Sequence, residues 1–226
     1  SNQQTNIMDY FTIATTGNAT DFGDLLVGTQ RLGSASNSTR AIWAGGASSE
    51  STIQYITIAT TGNATDFGDL IAGRKEWDGV SSSTKAVFGG GKLSNNTTTT
   101  DIEYVNIATD GEGAMFGDLQ EKTYGSYGSS CSTTRACFFG GLGHVNDPIT
   151  TVQFITFSTK GKATTFGNLS VNKYQTAATS NVTRGLNAGG YDNKNEIEYI
   201  TIASEGNATD FGDLTTGREK LGALSS

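Results

Sequence analysis

Proline and histidine each occur once and cysteine twice in 226 residues, and each shortage closes a route to function. A disulfide-stapled scaffold needs several cysteine pairs. Cys131 and Cys137 could supply one bond across a hairpin, or be two small core residues. A zinc centre needs several His or Cys ligands, and they are not there. A Ser-His-Asp arrangement would have to use His144, and neither a GxSxG elbow nor a second base accompanies it. Cations are also in deficit. Fifteen Lys and Arg against 22 Asp and Glu give a net charge of −7 and a pI near 4.7. Phosphate binding needs clustered Lys and Arg, so no nucleic acid is expected as a partner. No stretch approaches the roughly 18 consecutive apolar residues of a membrane span. The opening SNQQTNIMDY has neither the basic nor the apolar region of a secretory leader. A soluble chain without membrane insertion is expected.

Glycine is plentiful, at 30 residues, and it is placed periodically rather than as a disordered bias. The block TIATTGNATDFGDL at 12–25 recurs identically at 57–70, then as NIATDGEGAMFGDL at 106–119, TFSTKGKATTFGNL at 156–169 and TIASEGNATDFGDL at 201–214. The aligned phenylalanines, Phe22, Phe67, Phe116, Phe166 and Phe211, are spaced by 45, 49, 50 and 45 residues. A second block, STRAIWAGG at 38–46, recurs as STKAVFGGG at 83–91, TTRACFFGG at 133–141 and VTRGLNAGG at 182–190. Each ends in a glycine pair.

Within a unit, a short strand of small residues, the Arg-to-Gly-Gly strand, a Tyr-containing strand and the FGDL strand follow one another. Each is four to seven residues long and bounded by Gly, Asn, Ser or Asp. No window keeps helical three-and-four spacing. A repeat of about 40 to 50 residues with four strands is the size of a propeller blade. Stacking such units buries both faces of each sheet, and closing them into a ring removes long exposed edges. We therefore expect an all-β propeller of four-stranded antiparallel blades, five in number, forming one domain over 1–226. Its units would be 26–70, 71–119, 120–169, 170–214, and a blade shared by 1–25 and 215–226 as a terminal clasp. Only four Arg-to-Gly-Gly strands accompany five of every other type, so both ends look cut from a longer array.

The glycine pairs 45–46, 90–91, 140–141 and 189–190, followed by Tyr55, Tyr104, Phe154 and Tyr199 (with Tyr10 in the first unit), resemble the kelch repeat. The usual Trp of the kelch fourth strand is absent, and the Phe of FGDL stands in its place. The wording YITIATTGNATDFGDL, followed by GR and LGA, resembles repeats of virion structural proteins of marine cyanobacterial phages over nearly the whole chain. That resemblance implies a phage particle component such as a fibre, adhesin or surface decoration, and it implies no reaction.

Residues that recur in every unit serve what every unit has in common, so function is sought where the copies differ. Asp24, Asp69, Asp118 and Asp213, with Asn168 in the fourth copy, could be acid–base pairs or calcium ligands. A short acid beside Gly at a strand end more simply accepts turn N–H groups, and catalytic carboxylates are placed singly rather than five times over. Arg40, Lys85, Arg135 and Arg184 are expected to meet neighbouring acids or turn carbonyls. The sequons at Asn18, Asn37, Asn63, Asn96, Asn181 and Asn207 include one turn, GNAT, three times, and are read as turn devices rather than glycosylation sites. No catalytic residue, metal ligand or cofactor is assigned.

The loops 47–52, 92–101, 142–151 and 191–196 do differ, in length and composition, and should emerge on the same face as the connections bearing Trp77, Tyr124, Tyr127 and Tyr174. The candidate binding residues are Trp77, Lys92, Asn95, Asn96, Tyr124, His144, Asp147, Tyr174, Tyr191, Asp192 and Asn193. Aromatics among Asn, Asp and Lys can stack on sugar rings or anchor a protein. Packing between units is the other explanation for Trp77 and Tyr127, which align with Leu32 and Leu221; His144, near Pro148, could equally be a solvated loop residue. The expected function is a non-enzymatic virion module on the phage particle surface that binds a host-surface glycan or other virion proteins. The alternative is a cellular lectin-like or kelch-type interaction scaffold. A sialidase-type hydrolase ranks last, because its S-x-D-x-G-x-T-W box is absent.

Overall fold

The computed structural model describes residues 4–126, 128–143 and 146–223, and every element among them is a β-strand. A hairpin comes first, β1 (Thr5–Tyr10) with β2 (Thr20–Thr29). The first four-stranded sheet follows: β3 (Gly33–Ser36), β4 (Arg40–Ala44), β5 (Thr52–Thr57) and β6 (Thr65–Asp69). After the short β7 (Arg74–Lys75), the second sheet comprises β8 (Asp78–Ser81), β9 (Lys85–Gly89), β11 (Asp101–Asn106) and β12 (Ala114–Asp118). The short β10 (Lys92–Leu93) within that unit pairs with β7. The third sheet is β13 (Ser129–Cys131), β14 (Arg135–Phe139), β15 (Thr151–Thr156) and β16 (Thr164–Asn168). The fourth is β17 (Ala177–Ser180), β18 (Arg184–Ala188), β19 (Glu196–Thr201) and β20 (Thr209–Asp213). All four are antiparallel meanders in chain order, and each lies within one repeat unit.

The small-residue strands come together because their side chains permit it: β3 packs on β8, β8 on β13 and β13 on β17. They line an open cavity of about 370 Å³, with Ser34, Ser36, Ser81, Ser129, Ser130, Cys131, Thr179, Ser180 and Ala223 on its walls. Large apolar residues fill the spaces between sheets instead. Ile42, Phe67, Trp77, Phe88 and Ile107 pack between the first and second sheets, Val87, Phe116, Phe138 and Phe157 between the second and third, and Phe139, Phe154, Phe166 and Ile202 between the third and fourth. Met8 and Phe22 of the hairpin pack with Ala64 of the first sheet. Each unit thus buries its apolar surface against its neighbours, as expected of stacked repeats.

The recurring Phe-Gly pair is a β-bulge. In the first sheet Ile53 faces Gly68 while Gln54 faces Asp66, so Phe67 is the extra residue. The same slip occurs at Phe22, Phe116, Phe166 and Phe211. It turns each Phe onto the preceding aromatic edge-to-face, with centroids 5.7 to 6.2 Å apart in Tyr10–Phe22, Tyr55–Phe67, Tyr104–Phe116, Phe154–Phe166 and Tyr199–Phe211. The bulge also frees carbonyls to bond the next unit. Gly62 and Ala64 donate to Phe22 and Asp24 at 2.7 and 2.8 Å, Gly111 and Gly113 to Phe67 and Asp69, Gly161 and Ala163 to Phe116 and Asp118, and Gly206 and Ala208 to Phe166 and Asn168. The glycine is required by close approach: a Cβ on Gly117 would lie 1.8 Å from the Gly161 carbonyl oxygen.

The acids beside these glycines differ from expectation. Asp69, Asp118 and Asn168 accept the hydroxyls of Ser51, Thr100 and Thr150 at 2.8, 3.0 and 3.1 Å, rather than turn N–H groups. Cys131 and Cys137 are both free. Ser130 faces Cys137 and Cys131 faces Ala136, so the two thiols point to opposite sides of one sheet. Burial pushes the Cys137 thiol up to about 12, which leaves it an unreactive core residue.

Phe116→Ala should cost about 3 to 5 kcal/mol, because it empties a buried aromatic site that joins two sheets. Urea unfolding of the variant against the parent chain checks this.

Candidate functional site

The variable loops and the inter-unit connections do share one face, and backbone bonds hold them there. Gly46, Gly91, Gly141 and Gly190 donate to the carbonyls of Arg74, Thr123, Lys173 and Arg218 at 2.8 to 3.0 Å. The loops turn tightly through left-handed residues: Ser49, Asn96, Asn146, Asp192 and Asn193 all have φ between 54° and 66°. Asn and Asp tolerate that conformation best among residues with side chains. This explains why the loops are rich in them.

Two clusters form on this face. In the first, the Lys92 ammonium sits 3.7 Å from the centroid of the Tyr124 ring and 3.8 Å from Glu76, and Glu76 also takes Arg31 at 2.6 Å. The Tyr124 hydroxyl donates to Asn146 Oδ1 at 2.5 Å. Tyr124 is consequently buried beneath Lys92 and Asn146. In the second, Tyr174 and Tyr191 stack with centroids 4.7 Å apart and planes 22° from parallel, fixed by the Tyr191 N–H donating to the Tyr174 carbonyl at 2.9 Å. Half of Tyr191 stays exposed. Desolvation raises the Tyr174 phenol above its ordinary range, helped by Tyr191, Glu219 and Tyr124. Between the connections lies a depression of about 510 Å³ lined by Arg31, Leu32, Glu76, Gln175, Lys220 and Leu221.

The candidate residues therefore divide. Lys92, Tyr174 and Tyr191 stand in the two clusters, and Asn95, Asn96, Asp147, Asp192 and Asn193 are exposed along the loops. Trp77 must be corrected. It is 1% exposed, packs on Phe88 at 5.2 Å, and its indole N–H donates to the Ala44 carbonyl at 3.1 Å, so it is a core residue. Its apolar neighbours drew it inward, as the Leu32 alignment allowed. His144 and Tyr127 lie outside the described residues. Glu76 and Asn146 were not singled out by sequence reading, because an acid and an amide in variable segments carry no spacing signal.

Three of the four recurring cations reach the next unit, and the fourth, Arg184, lies over Tyr199 of its own unit. Arg40 donates to the Ile107 carbonyl at 3.0 Å and to Asp110 at 2.7 Å, Lys85 to Phe157 at 3.0 Å and Arg135 to Ile202 at 3.2 Å, which accords with their structural assignment. Among the described residues no group of three or more His, Cys, Asp or Glu side chains converges as a metal site would require.

Burial perturbs carboxyls in the scaffold: it raises Glu103 above the usual range against the pull of Arg74, and it acts on Asp78 without a paired cation. Asp78, at the start of β8, has a buried Oδ2 with no hydrogen-bond partner. Desolvation pushes its carboxyl up to about 6, only partly offset by Ser129 and by the Gly79 N–H. The folded state therefore holds this proton more tightly than the unfolded chain does, so the contribution is fully present below about pH 4 and lost as pH rises through about 6. Asp78→Asn should raise stability near pH 8 by up to about 3 kcal/mol and change little near pH 4. Thermal melts across that range check it.

No protein-family profile matches this chain, and no curated protein matches it.

Proposed function

We propose that the chain is a non-enzymatic binding module, a five-bladed propeller of divergent kelch-like units whose loop face engages a glycan. The fifth blade combines the β1–β2 hairpin with the segment 215–223. The observation that carries the binding assignment is the Tyr174–Tyr191 stack. A half-exposed aromatic pair on the face where the repeats differ offers apolar area with hydroxyl tips, the chemistry that suits a sugar ring. Asp192 and Asn193, exposed beside it, supply hydrogen-bond partners for sugar hydroxyls. The hydroxyl-lined cavity and the repeated Asp or Asn residues belong to the scaffold, because equivalent segments of successive units supply them.

The repeated wording GNATDFGDL supports placing this module on a phage particle, where the glycan would be that of the host surface and other virion proteins its structural neighbours. Propellers host many activities, so the assignment rests on the loop face and the repeat wording rather than on architecture.

A glycan array probed with the chain should show selective binding, and Tyr191→Ala should weaken it at least tenfold, about 1.4 kcal/mol, without lowering the melting temperature. Undiminished binding by Tyr191→Ala would place the ligand elsewhere.

A further inference from the structure

The junction between consecutive units is built four times from the same parts, and each part occurs a fifth time without its partner. The Gly-Asn-Ala turns at 62–64 and 206–208, and their equivalents at 111–113 and 161–163, clamp the FGD or FGN edges of the preceding units. Among the described residues, the fifth edge, Phe211 to Asp213, and the fifth turn, Gly17 to Ala19, make no such bonds. Phe211 is 54% exposed, against 3% for Phe67, Phe116 and Phe166. A Cβ on Gly212 meets nothing within 4 Å, whereas one on Gly23, Gly68, Gly117 or Gly167 would strike the neighbouring turn. Ile13 is 87% exposed, against 43% for Ile58, while the other counterparts Ile107, Phe157 and Ile202 are buried. Arg184 lies over the Tyr199 ring at 4.4 Å and lacks the carbonyl contact into the next unit that Arg40, Lys85 and Arg135 make.

A second pattern is independent of the backbone. In every formed junction the residue before the Tyr-type aromatic accepts the N–H that follows the FGDL leucine: Leu26 donates to Gln54 at 2.7 Å, Ile71 to Glu103 at 2.9 Å, Gln120 to Gln153 at 2.5 Å and Ser170 to Glu198 at 2.6 Å. Four residues after the same leucines stand Thr29, Arg74, Thr123 and Lys173, all buried. Arg74 pairs with Glu103, and Lys173 with Glu198 at 2.8 Å. Threonine occurs where the partner unit offers glutamine, and a cation where it offers glutamate. A mismatch would leave a buried charge unpaired, which is strongly destabilising. The match therefore discriminates between otherwise interchangeable units. At the fifth junction the corresponding residues are Arg218 and Asp9, again a cation and an acid. Arg218 is already held as Arg74 is: its Nε donates to the Thr216 carbonyl at 3.3 Å, as that of Arg74 does to Ala72 at 3.4 Å.

We propose that the β1–β2 hairpin seats on the β20 edge of its own chain, with Asp9 paired to Arg218, and that the cation–acid and Thr–Gln pairs are a matching code fixing which unit stacks on which. The proposal deepens, and rests on, the ring reading above. The hairpin of the same chain is the occupant because inner segments of all five units, from Ser34 to Ala223, line one cavity. Backbone bonds also run in sequence around its mouth, from Glu76 to Arg31, Gly125 to Glu76, Gln175 to Gly125 and Lys220 to Gln175, at 2.7 to 3.0 Å.

Two measurements on the full chain test it. Asn18→Cys with Asp213→Cys, on a Cys131→Ser background, should form a bismaleimide cross-link within one chain, read by intact mass in dilute solution. Cross-links only between chains would assign the edge to a second copy, and their absence would overturn ring closure together with this proposal. Separately, Asp9→Arg and Arg218→Glu should each lower the melting temperature, and the double variant should recover most of the loss. Likewise Arg74→Thr with Glu103→Gln should melt well above either single variant. An intramolecular cross-link with purely additive charge swaps would leave the ring standing and overturn the code. Glycan binding by the cross-linked chain reads the binding assignment separately.

Discussion

The structure depends on one backbone contact, the pair of hydrogen bonds by which a Gly-containing turn clamps the bulged FGD edge of the unit before it. The bulge supplies everything the contact needs. It displaces Phe onto its aromatic neighbour, exposes two carbonyls and places a glycine where no side chain would fit. Apolar residues then fill the space between sheets, and the four cores are each shared by two successive units. Stability in such an array is a sum of unit and neighbour terms. That is why the Phe-Gly pair and the turn glycine recur in every copy.

The repetition has a consequence for function. Most positions committed to the junction, including Asp69, Asp118, Arg40, Lys85 and Arg135, have partners in the scaffold and are poor candidates for chemistry. The free variation lies in loops held beside the connections by the glycine pairs, and that face is where the tyrosine stack and the Lys92–Glu76–Tyr124 group are found. A rigid scaffold presenting variable loops is a common way to build a binding surface.

Much of the fold was legible in the sequence because each strand type recurs. The order of strands, the four-stranded antiparallel sheets and the face shared by loops and connections all followed from aligning the copies. The bulge was not legible: a Phe-Gly pair in a strand reads equally as an ordinary turn boundary, and only the register shift distinguishes them. The site was less legible than the fold. Trp77 looked like a surface anchor because it sits in a connection, and it proved to be core because a Leu position tolerates a larger apolar group between two sheets. Tyr124 is likewise covered, by Lys92 and Asn146, which no sequence pattern links to it.

The central claim, that the repeated turn is a junction clamp rather than a ligand site, is tested most directly by amide hydrogen exchange resolved to single residues. The account predicts that Gly62, Gly111, Gly161 and Gly206 exchange as slowly as the amides inside the strands. Fast exchange at these glycines, with the strand ladders still protected, would contradict it.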